Sequence, residues 1–300
     1  MNNFNPSNDI IVIGAGLSGL QFANSFSEGL SIYEKSRGTL GRISSRRMND
    51  SEFIKGAAKI DFLEDEFLSF LKDIDPEGID LTSDKAVKVT PRLRKKLKEY
   101  FSRQVIQTGH RVESIENHED HLNLHIRNVS NDEKKEIRCK GVVLTGPTPQ
   151  MLELIPSSID QNNLGKLKNI QYEMKGVVCA TLESDIKKLK EENEFELIHD
   201  DDHGAVFVIS NDQITSREGL IYSIKSKLNI LDDDIDAPRM HIHFWKYSNC
   251  KNPLKENFCN IDNKIFFIGD SFSNGGAQGA WKSANALATE LKNLFGETND

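Results

Sequence analysis

Gly14, Gly16 and Gly19 stand at the spacing of a dinucleotide-binding turn, Gly-x-Gly-x-x-Gly. In such a turn the first glycine permits a tight bend, and the second lets backbone approach a pyrophosphate. The third allows a helix to pack closely on a strand. The phosphates then sit at a helix N-terminus, where free N–H groups and the helix dipole favour an anion. Glu34 follows Gly14 by 20 residues, the distance at which a carboxylate accepts the ribose hydroxyls of an adenosine. A second chemical cluster lies far along the chain. His241, His243, Trp245 and Tyr247 alternate with Ile242, Phe244 and Lys246, so as a strand all four would share one face. Such an imidazole and aromatic wall could stack a planar substrate and relay a proton. The same pattern equally suits the half-buried face of a sheet. His-x-His also occurs at metal sites, but no third ligand has an obvious position, and no metal is expected.

The flanking residues describe the elements that must hold these groups. Ile10-Ile11-Val12-Ile13 is a β-branched run, the mark of a parallel strand buried on both faces. A helix from Leu17 to about Ser27, stopped near Gly29, and a strand from Leu30 to Glu34 complete a β-turn-α-β unit. Gly141 to Thr145 and Ile265 to Ile268 read as two more buried strands, and Ala280 to Leu294 as a helix. Its apolar positions are Ala280, Ala284, Leu287, Ala288, Leu291 and Leu294. Between these lie strands at Val105–Ile106, Arg111–Ile115, His121–Ile126 and Glu136–Cys139, with a hairpin tip around Asn131–Lys135. Thr90-Pro91 reads as N-cap and first residue of a helix with a buried stripe of Leu93, Leu97 and Phe101. That helix carries most of a basic run (Lys85, Lys88, Arg92, Arg94, Lys95, Lys96, Lys98), which is either a solvated face or a cradle for an anionic substrate. Residues 150–260 are less regular. Their acid-rich segments Glu191–Glu196, Asp200–Asp202 and Asp232–Asp236 read as surface loops, and there is no internal repeat.

A chain of 300 residues with 37% hydrophobic and 28% charged side chains belongs with globular enzymes rather than disordered or fibrous chains. No apolar run approaches the length of a membrane span, and no signal peptide is visible. The net charge of −8 argues against a general nucleic-acid binder. Cys139, Cys179, Cys250 and Cys259 form no CxxC pair or disulfide framework, so free thiols in a reduced, cytoplasmic setting are expected. Both ends of the chain thus read as nucleotide-binding α/β structure and the middle does not. The expected fold is α/β, a Rossmann-like nucleotide domain (1–52, 102–150, 258–300) with an inserted substrate domain (53–101, 151–257).

Two further segments bear on which dinucleotide is held. Lys35-Ser36-Arg37-Gly38-Thr39-Leu40-Gly41-Arg42 follows Glu34, and Gly269-Asp270 leads to Gly275-Gly276-Ala277-Gln278-Gly279-Ala280. With these segments the sequence resembles the flavin amine oxidase superfamily, most closely its small renalase-like branch, which has an FAD fold of the glutathione-reductase type. Thr108-Gly109-His110-Arg111-Val112 resembles the family's strand over the adenine, and Gly141 to Gln150 and His243 to Tyr247 resemble two further family segments. The resemblance implies non-covalent FAD, with Arg42 near the pyrophosphate, Asp270 at the ribityl or phosphate region, and Ala280 beside the isoalloxazine. The implied substrate domain is a mainly antiparallel sheet with helices. The candidate cofactor-binding set is Gly14, Ala15, Gly16, Ser18, Gly19, Glu34, Lys35, Gly41, Arg42, Val112, Gly269, Asp270, Gln278, Gly279 and Ala280; the candidate catalytic set is His243, Trp245 and Tyr247.

The implied activity is hydride transfer from a small substrate, such as a dihydronicotinamide nucleotide or an amine, to flavin N5. Dioxygen would reoxidise the flavin to give peroxide. Two alternatives stay open: a flavin-binding protein with lost or altered turnover, and an NAD(P)-binding regulatory protein without flavin. Two departures from the family pattern stand out. Leu40 replaces the first glycine of a Gly-Gly pair, and Ile54, Lys55 and Ala58 replace polar family positions after Phe53. Strand alternation would put Lys55 and Lys59 on one face and Ile54 and Ala58 on the other. The apolar pair is expected to face the pocket, because a buried lysine without a partner is costly.

Overall fold

Strands with apolar side chains at every position need cover on both faces, and the computed structural model supplies it. It describes residues 9–26, 30–209, 214–231, 235 and 239–295. The expected helix end at Ser27 to Gly29 and most of Asp232–Asp236 lie outside these described residues. The chain opens with β1 (Ile10–Ile13), α1 (Leu17–Asn24) and β2 (Ser31–Glu34). Next come β3 (Ser45–Met48), β4 (Ser51–Ile54), β5 (Lys59–Asp61), α2 (Asp65–Ile74), β6 (Leu81–Ser83), β7 (Ala86–Lys88) and α3 (Pro91–Tyr100). Then follow β8 (Val105–Thr108), β9 (His110–Asn117), β10 (Leu122–Asn128), β11 (Lys134–Cys139), β12 (Gly141–Leu144), α4 (Thr148–Leu152) and α5 (Gly165–Lys168). The second half holds β13 (Lys175–Ala180), α6 (Glu183–Glu191), β14 (Phe195–Asp201), β15 (Gly204–Ile209) and α7 (Arg217–Leu228). It closes with β16 (Met240–Trp245), β17 (Cys259–Ile261), β18 (Ile265–Phe267) and α8 (Gly276–Phe295).

The central sheet has the order β17-β18-β12-β1-β2-β8. All its pairs are parallel except β17 with β18. From β1 the chain moves outward to β2 and β8 on one side, and later to β12 and β18 on the other. The order therefore reverses between β1 and β12, and in an open parallel sheet ligands bind beyond the strand ends at that reversal. Ile10 and Val12 face a core shared with α1, α8, α2 and α3, through Phe22, Leu291, Phe67 and Leu97. Ile11 and Ile13 face the antiparallel sheet β11-β10-β9 and α4–α5, through Leu124, Met151 and Leu167.

A second antiparallel sheet, β14-β15-β13-β16, fills the region that reads as irregular from sequence. One face packs on α6 and α7 through Val178, Phe207, Leu220 and Ile242. The other face meets the β3–β4 hairpin, where Met48 and Phe53 pack on Val177, Cys179 and Val206. The acid-rich segments are exposed at several positions but are not simply loops: Glu196, Asp200 and Asp201 belong to β14. Local capping follows the sequence at α3, where the Thr90 hydroxyl accepts from the Leu93 N–H at 3.1 Å ahead of Pro91. Leu93, Leu97 and Phe101 are all buried. Among the described residues no helix is long and apolar enough to cross a membrane.

On α8 the expected apolar stripe holds from Ala280 to Leu291, but Leu294 is 61% exposed. Leu287 is 0% exposed. Truncating it leaves a cavity, so Leu287→Ala should cost about 2–5 kcal/mol of unfolding free energy in urea, and Leu294→Ala less than about 0.5 kcal/mol. Equal losses for the two would contradict this packing.

Candidate functional site

The three glycines of the turn have three distinct tasks. Gly14 takes a φ of +107°, and a methyl group there would come within 2.5 Å of Thr145 Oγ1. A methyl on Gly19 would overlap the Gly14 carbonyl oxygen, so this glycine sets how closely α1 lies on β1. A methyl on Gly16 meets nothing within 4 Å, and Gly16 is the N-cap of α1 without a capping side chain. The mouth of α1 is therefore open backbone, as an anion would require. Ser18 is buried in the first turn with its hydroxyl 3.5 Å from the Thr145 carbonyl. Thr145 itself ties the turn down, its hydroxyl lying 3.0 Å from the carbonyls of both Ile13 and Gly14.

Glu34 is buried at the end of β2, beside this turn. Its Oε2 accepts from the Ala15 N–H at 2.9 Å and its Oε1 from the Ser36 N–H at 2.7 Å. Each oxygen keeps a further lone pair for a hydroxyl donor. Lys35 is exposed next to it. Val112 packs its side chain into the core of the β9 sheet. Leu40 sits over the turn in left-handed conformation (φ 72°), is buried, and donates its N–H to the Ala15 carbonyl at 2.7 Å. A leucine in that conformation carries about 1–2 kcal/mol of strain, which its surroundings must hold in place. Gly41, also left-handed, lies against Gly16, with room for a methyl only 3.3 Å from the Gly16 α-carbon.

Arg42 provides the hold. Its Nη1 and Nη2 donate to Asp270 Oδ2 and Oδ1 at 2.7 and 2.6 Å, and Nη1 also reaches the Ser248 carbonyl at 2.9 Å. Burial works against the guanidinium's charge, but Asp270 outweighs it and holds Arg42 above its ordinary range. Tyr172 lies under the same pair, its ring centre 5.7 Å from the guanidinium carbon and its hydroxyl 3.0 Å from Asp270 Oδ1.

Beyond Asp270, Ser273, Asn274, Gly275 and Gly276 are four successive left-handed residues that lead into α8. A methyl on Gly279 would come within 2.6 Å of the Phe272 carbonyl, whereas Gly276 faces open space. The Gly269 N–H donates to Ser283 Oγ at 3.2 Å. Ala280 is buried. The Gln278 carboxamide oxygen accepts from the Leu63 and Glu64 N–H groups at 2.6 and 3.3 Å, so it joins α8 to the start of α2.

The wall on the second sheet departs from expectation at its end. His241, His243 and Trp245 do share a face of β16, opposite Cys179, Val177 and Lys175 of β13. Their rings follow one another, His241 to His243 at 6.2 Å and His243 to Trp245 at 4.3 Å. The strand stops at Trp245, however, and Tyr247 lies in the following turn, packed edge-on to Tyr172 at 5.6 Å. Tyr247 thus belongs beside the Arg42–Asp270 pair rather than on the histidine face. The alternation expected for 54–59 also fails, because β4 ends at Ile54 and β5 begins at Lys59. Residues 55–57 turn sharply against the Arg42 loop, with Lys55 and Gly56 N–H groups both on the Ser44 carbonyl at 3.1 Å. A methyl on Gly56 would overlap the Arg42 carbonyl. Lys59 consequently points outward beside Asp61, while the Lys55 carbonyl takes the Trp245 indole N–H at 2.9 Å.

Much of the basic run is a helix face with local partners. Lys95 and Lys96 sit on Glu99, and Arg92 is bidentate on the buried Asp75. Arg94 is nearly buried and bonds the Ile43 carbonyl and Glu52, which braces the Arg42 loop. Among the described residues no group of three or more His, Cys, Asp or Glu side chains is placed to hold a metal ion. Sequence reasoning did not find Thr145, Tyr172, Ser248 or Ser271. Ser271 was within reach, being next to Gly269-Asp270; the others are joined to the site only by contacts across the fold.

No family model matches the sequence, and no curated protein matches it. Solved structures share the architecture. A CLA-producing fatty acid isomerase from P. acnes aligns over 96% of this chain and 99% of its own, with a TM-score of 0.64 and 11% identity. A proposed protoporphyrinogen oxidase from Exiguobacterium sp. 255-15 aligns over 95% and 99%, with a TM-score of 0.59 and 10% identity. A p-nitrophenol 4-monooxygenase from Pseudomonas putida DLL-E4 aligns over 98% and 81%, with a TM-score of 0.52 and 12% identity. The chain has the fold of these proteins.

All four cysteines are free thiols. Burial, with Asp270 nearby, pushes the half-buried Cys250 up to about 11. A raised thiol favours the neutral form, so at pH 8 its thiolate should be about a hundredfold scarcer than that of an ordinary cysteine. Alkylation by iodoacetamide, mapped by mass spectrometry on the folded protein, should be slow at pH 8 and climb about tenfold per pH unit toward pH 11. Rapid labelling at neutral pH would contradict this environment.

Proposed function

We propose that the protein is an FAD-dependent oxidoreductase of the flavin amine oxidase type, nearest in kind to the renalase-like branch. The observation that carries the reading is a pair of glycine-rich turns, each opening a helix, beside the strand-order reversal. One is Gly14–Gly19 with Glu34, the other is the Gly269–Gly276 turn opening α8, and Arg42, one residue past the Gly41 that packs on Gly16, pairs with Asp270 of the second turn. A long dinucleotide needs two such sites on one sheet, whereas the second is superfluous for a nucleotide held at the first alone. The buried Ser44 hydroxyl, two residues beyond Arg42, finds no hydrogen-bond partner among the described residues and is available to a bound group. The fold shared with an oxidase, an isomerase and a monooxygenase supports the same reading.

On this reading residues 1–52, 102–150 and 258–300 form the cofactor part, and 53–101 with 151–257 the substrate part. Glu34 accepts the ribose hydroxyls, the open N-terminus of α1 receives the pyrophosphate, and Arg42 sets its position. FAD held there would supply the two-electron acceptor for a hydride from a substrate C–H bond, its electron pair then being available to dioxygen, which with two protons would give peroxide. His243 and Trp245 orient a small substrate such as a dihydronicotinamide nucleotide or an amine and exclude water. The imidazole of His243 would take the proton that an amine substrate gives up as its hydride leaves. Ile54 and Ala58, in place of polar family residues, favour a second reading in which FAD is bound but ordinary family substrates turn over poorly.

Purified protein should be yellow, and acid should release the flavin to the supernatant. Colourless protein that takes up NAD(P) would establish the flavin-free alternative, and yellow protein that no substrate bleaches anaerobically the second reading. Glu34→Ala should weaken FAD by about 1.5–3 kcal/mol, roughly tenfold or more in Kd, through the lost bonds to a charged acceptor. Unchanged affinity would falsify the ribose assignment. His243→Ala should slow anaerobic flavin reduction while FAD content and Tm stay near those of the unaltered protein. If that variant instead loses flavin or unfolds, the wall is a structural face.

A further inference from the structure

Asp270 is held from a second side by a chain of hydroxyl groups. The Tyr172 hydroxyl lies 3.0 Å from Asp270 Oδ1 and 2.7 Å from Ser271 Oγ, and Ser271 Oγ lies 2.6 Å from Thr148 Oγ1. Thr148, Ser271 and Asp270 are buried, and Tyr172 is half-buried. Chemistry fixes the direction of the chain. A carboxylate paired with a guanidinium is ionised and only accepts, so Tyr172 must donate to it. With its one proton committed, the Tyr172 oxygen accepts from Ser271, and Ser271 accepts from Thr148. All three hydroxyl protons therefore point toward Asp270.

Such a chain restrains a torsion that the ion pair alone leaves loose. A carboxylate can rock about its χ2, a broad torsion. Arg42 on one side and Tyr172 on the other hold both oxygens in the plane that suits the bidentate fork. Tyr172 is itself fixed. Its backbone bridges to Cys250, and its ring packs on Tyr247 and under Arg42. Burial, reinforced by Asp270, keeps its hydroxyl protonated far above neutral pH, so the donor is always present.

We propose that Tyr172 is a positioning residue for the cofactor: by donating to Asp270 it fixes the Arg42 fork and the 38–43 loop over Gly16, and so sets how tightly FAD is held. This deepens the proposed function and rests on it. The test is FAD titration of flavin-stripped full-length protein, followed by flavin fluorescence, for the unaltered chain, Tyr172→Phe, Ser271→Ala, Asp270→Ala and the Tyr172→Phe/Asp270→Ala double variant. Tyr172→Phe keeps the ring and should raise Kd about tenfold, the lower end for losing a hydrogen bond to a charged group. Ser271→Ala, which removes the next link and spares the ring, should raise it by about threefold. In the Asp270→Ala background the Tyr172→Phe change should have less than about a twofold effect, because the acceptor it serves is gone.

Full tenfold effects in both backgrounds would overturn the proposal, since tyrosine would then act through packing and not through Asp270. Unchanged Kd values for Tyr172→Phe and Ser271→Ala would overturn it while leaving the FAD reading intact. No FAD uptake by the unaltered chain would overturn both. If Tyr172→Phe fails to fold, Ser271→Ala decides: an unchanged Kd there ends the proposal.

Discussion

The ion pair between Arg42 and Asp270 joins residues 228 positions apart, and the rest of the site is arranged around it. Taking a carboxylate out of water is costly, and a single guanidinium offsets this only with good geometry and further hydrogen bonds. Both are present: two short parallel contacts, a third from Arg42 to the Ser248 carbonyl, and a hydroxyl from Tyr172. Removing either partner would strand the other as an uncompensated charge, so the loop bearing Arg42 has little freedom. That rigidity explains how Leu40 can be held left-handed and buried above the glycine turn. It also joins the sheets. Asp270 follows the last parallel strand, Tyr172 precedes β13, and Ser248 follows β16, so β13 and the neighbouring edge strand β16 are both referenced to one carboxylate.

The parts legible from sequence are those whose reason is local. Ile10–Ile13, Gly141–Leu144 and Ile265–Phe267 are continuous apolar runs because parallel strands are covered on both faces, and each is a strand of the central sheet. The three glycines of the turn report steric needs of the backbone within a few residues, apart from the Thr145 hydroxyl that crowds Gly14. Thr90 caps a helix three residues away. In each case the determining contact lies within the reading window.

What was not legible is set by contacts across the fold. The β14-β15-β13-β16 sheet mixes Glu, Asp and His into its strands, because β14 is an edge strand with exposed positions, and the acid-rich segments read as loops. By alternation alone Tyr247 is the next step of the strand. The strand ends at Trp245 because the chain must turn there to bring Ser248 to Arg42. Similarly, alternation through 54–59 is broken at Gly56, where only a glycine clears the Arg42 carbonyl. That close approach belongs to a loop 14 residues earlier, and nothing in the local pattern announces it. Arg94 appeared as one of many basic residues, and its role in bracing Ile43 and Glu52 depends on how α3 lies on the hairpin.

The electrostatics of the proposed site follow from the same pair. Arg42 lies one residue past the Gly41 that packs on Gly16, but its charge is already matched by Asp270. The pair therefore brings no net charge to a pyrophosphate at the proposed site. What it would offer is the order it imposes on oriented backbone: the uncapped first turn of α1 at Gly16 and the glycine turn that opens α8. Helix N-termini act as fixed partial charges that need no counter-ion and little reorganisation, and they fall off within a turn. Such a site recognises an anion by close approach rather than by long-range attraction. Close approach is what glycine at 16 and 276 permits, and what the Arg42–Asp270–Tyr172 arrangement keeps in register.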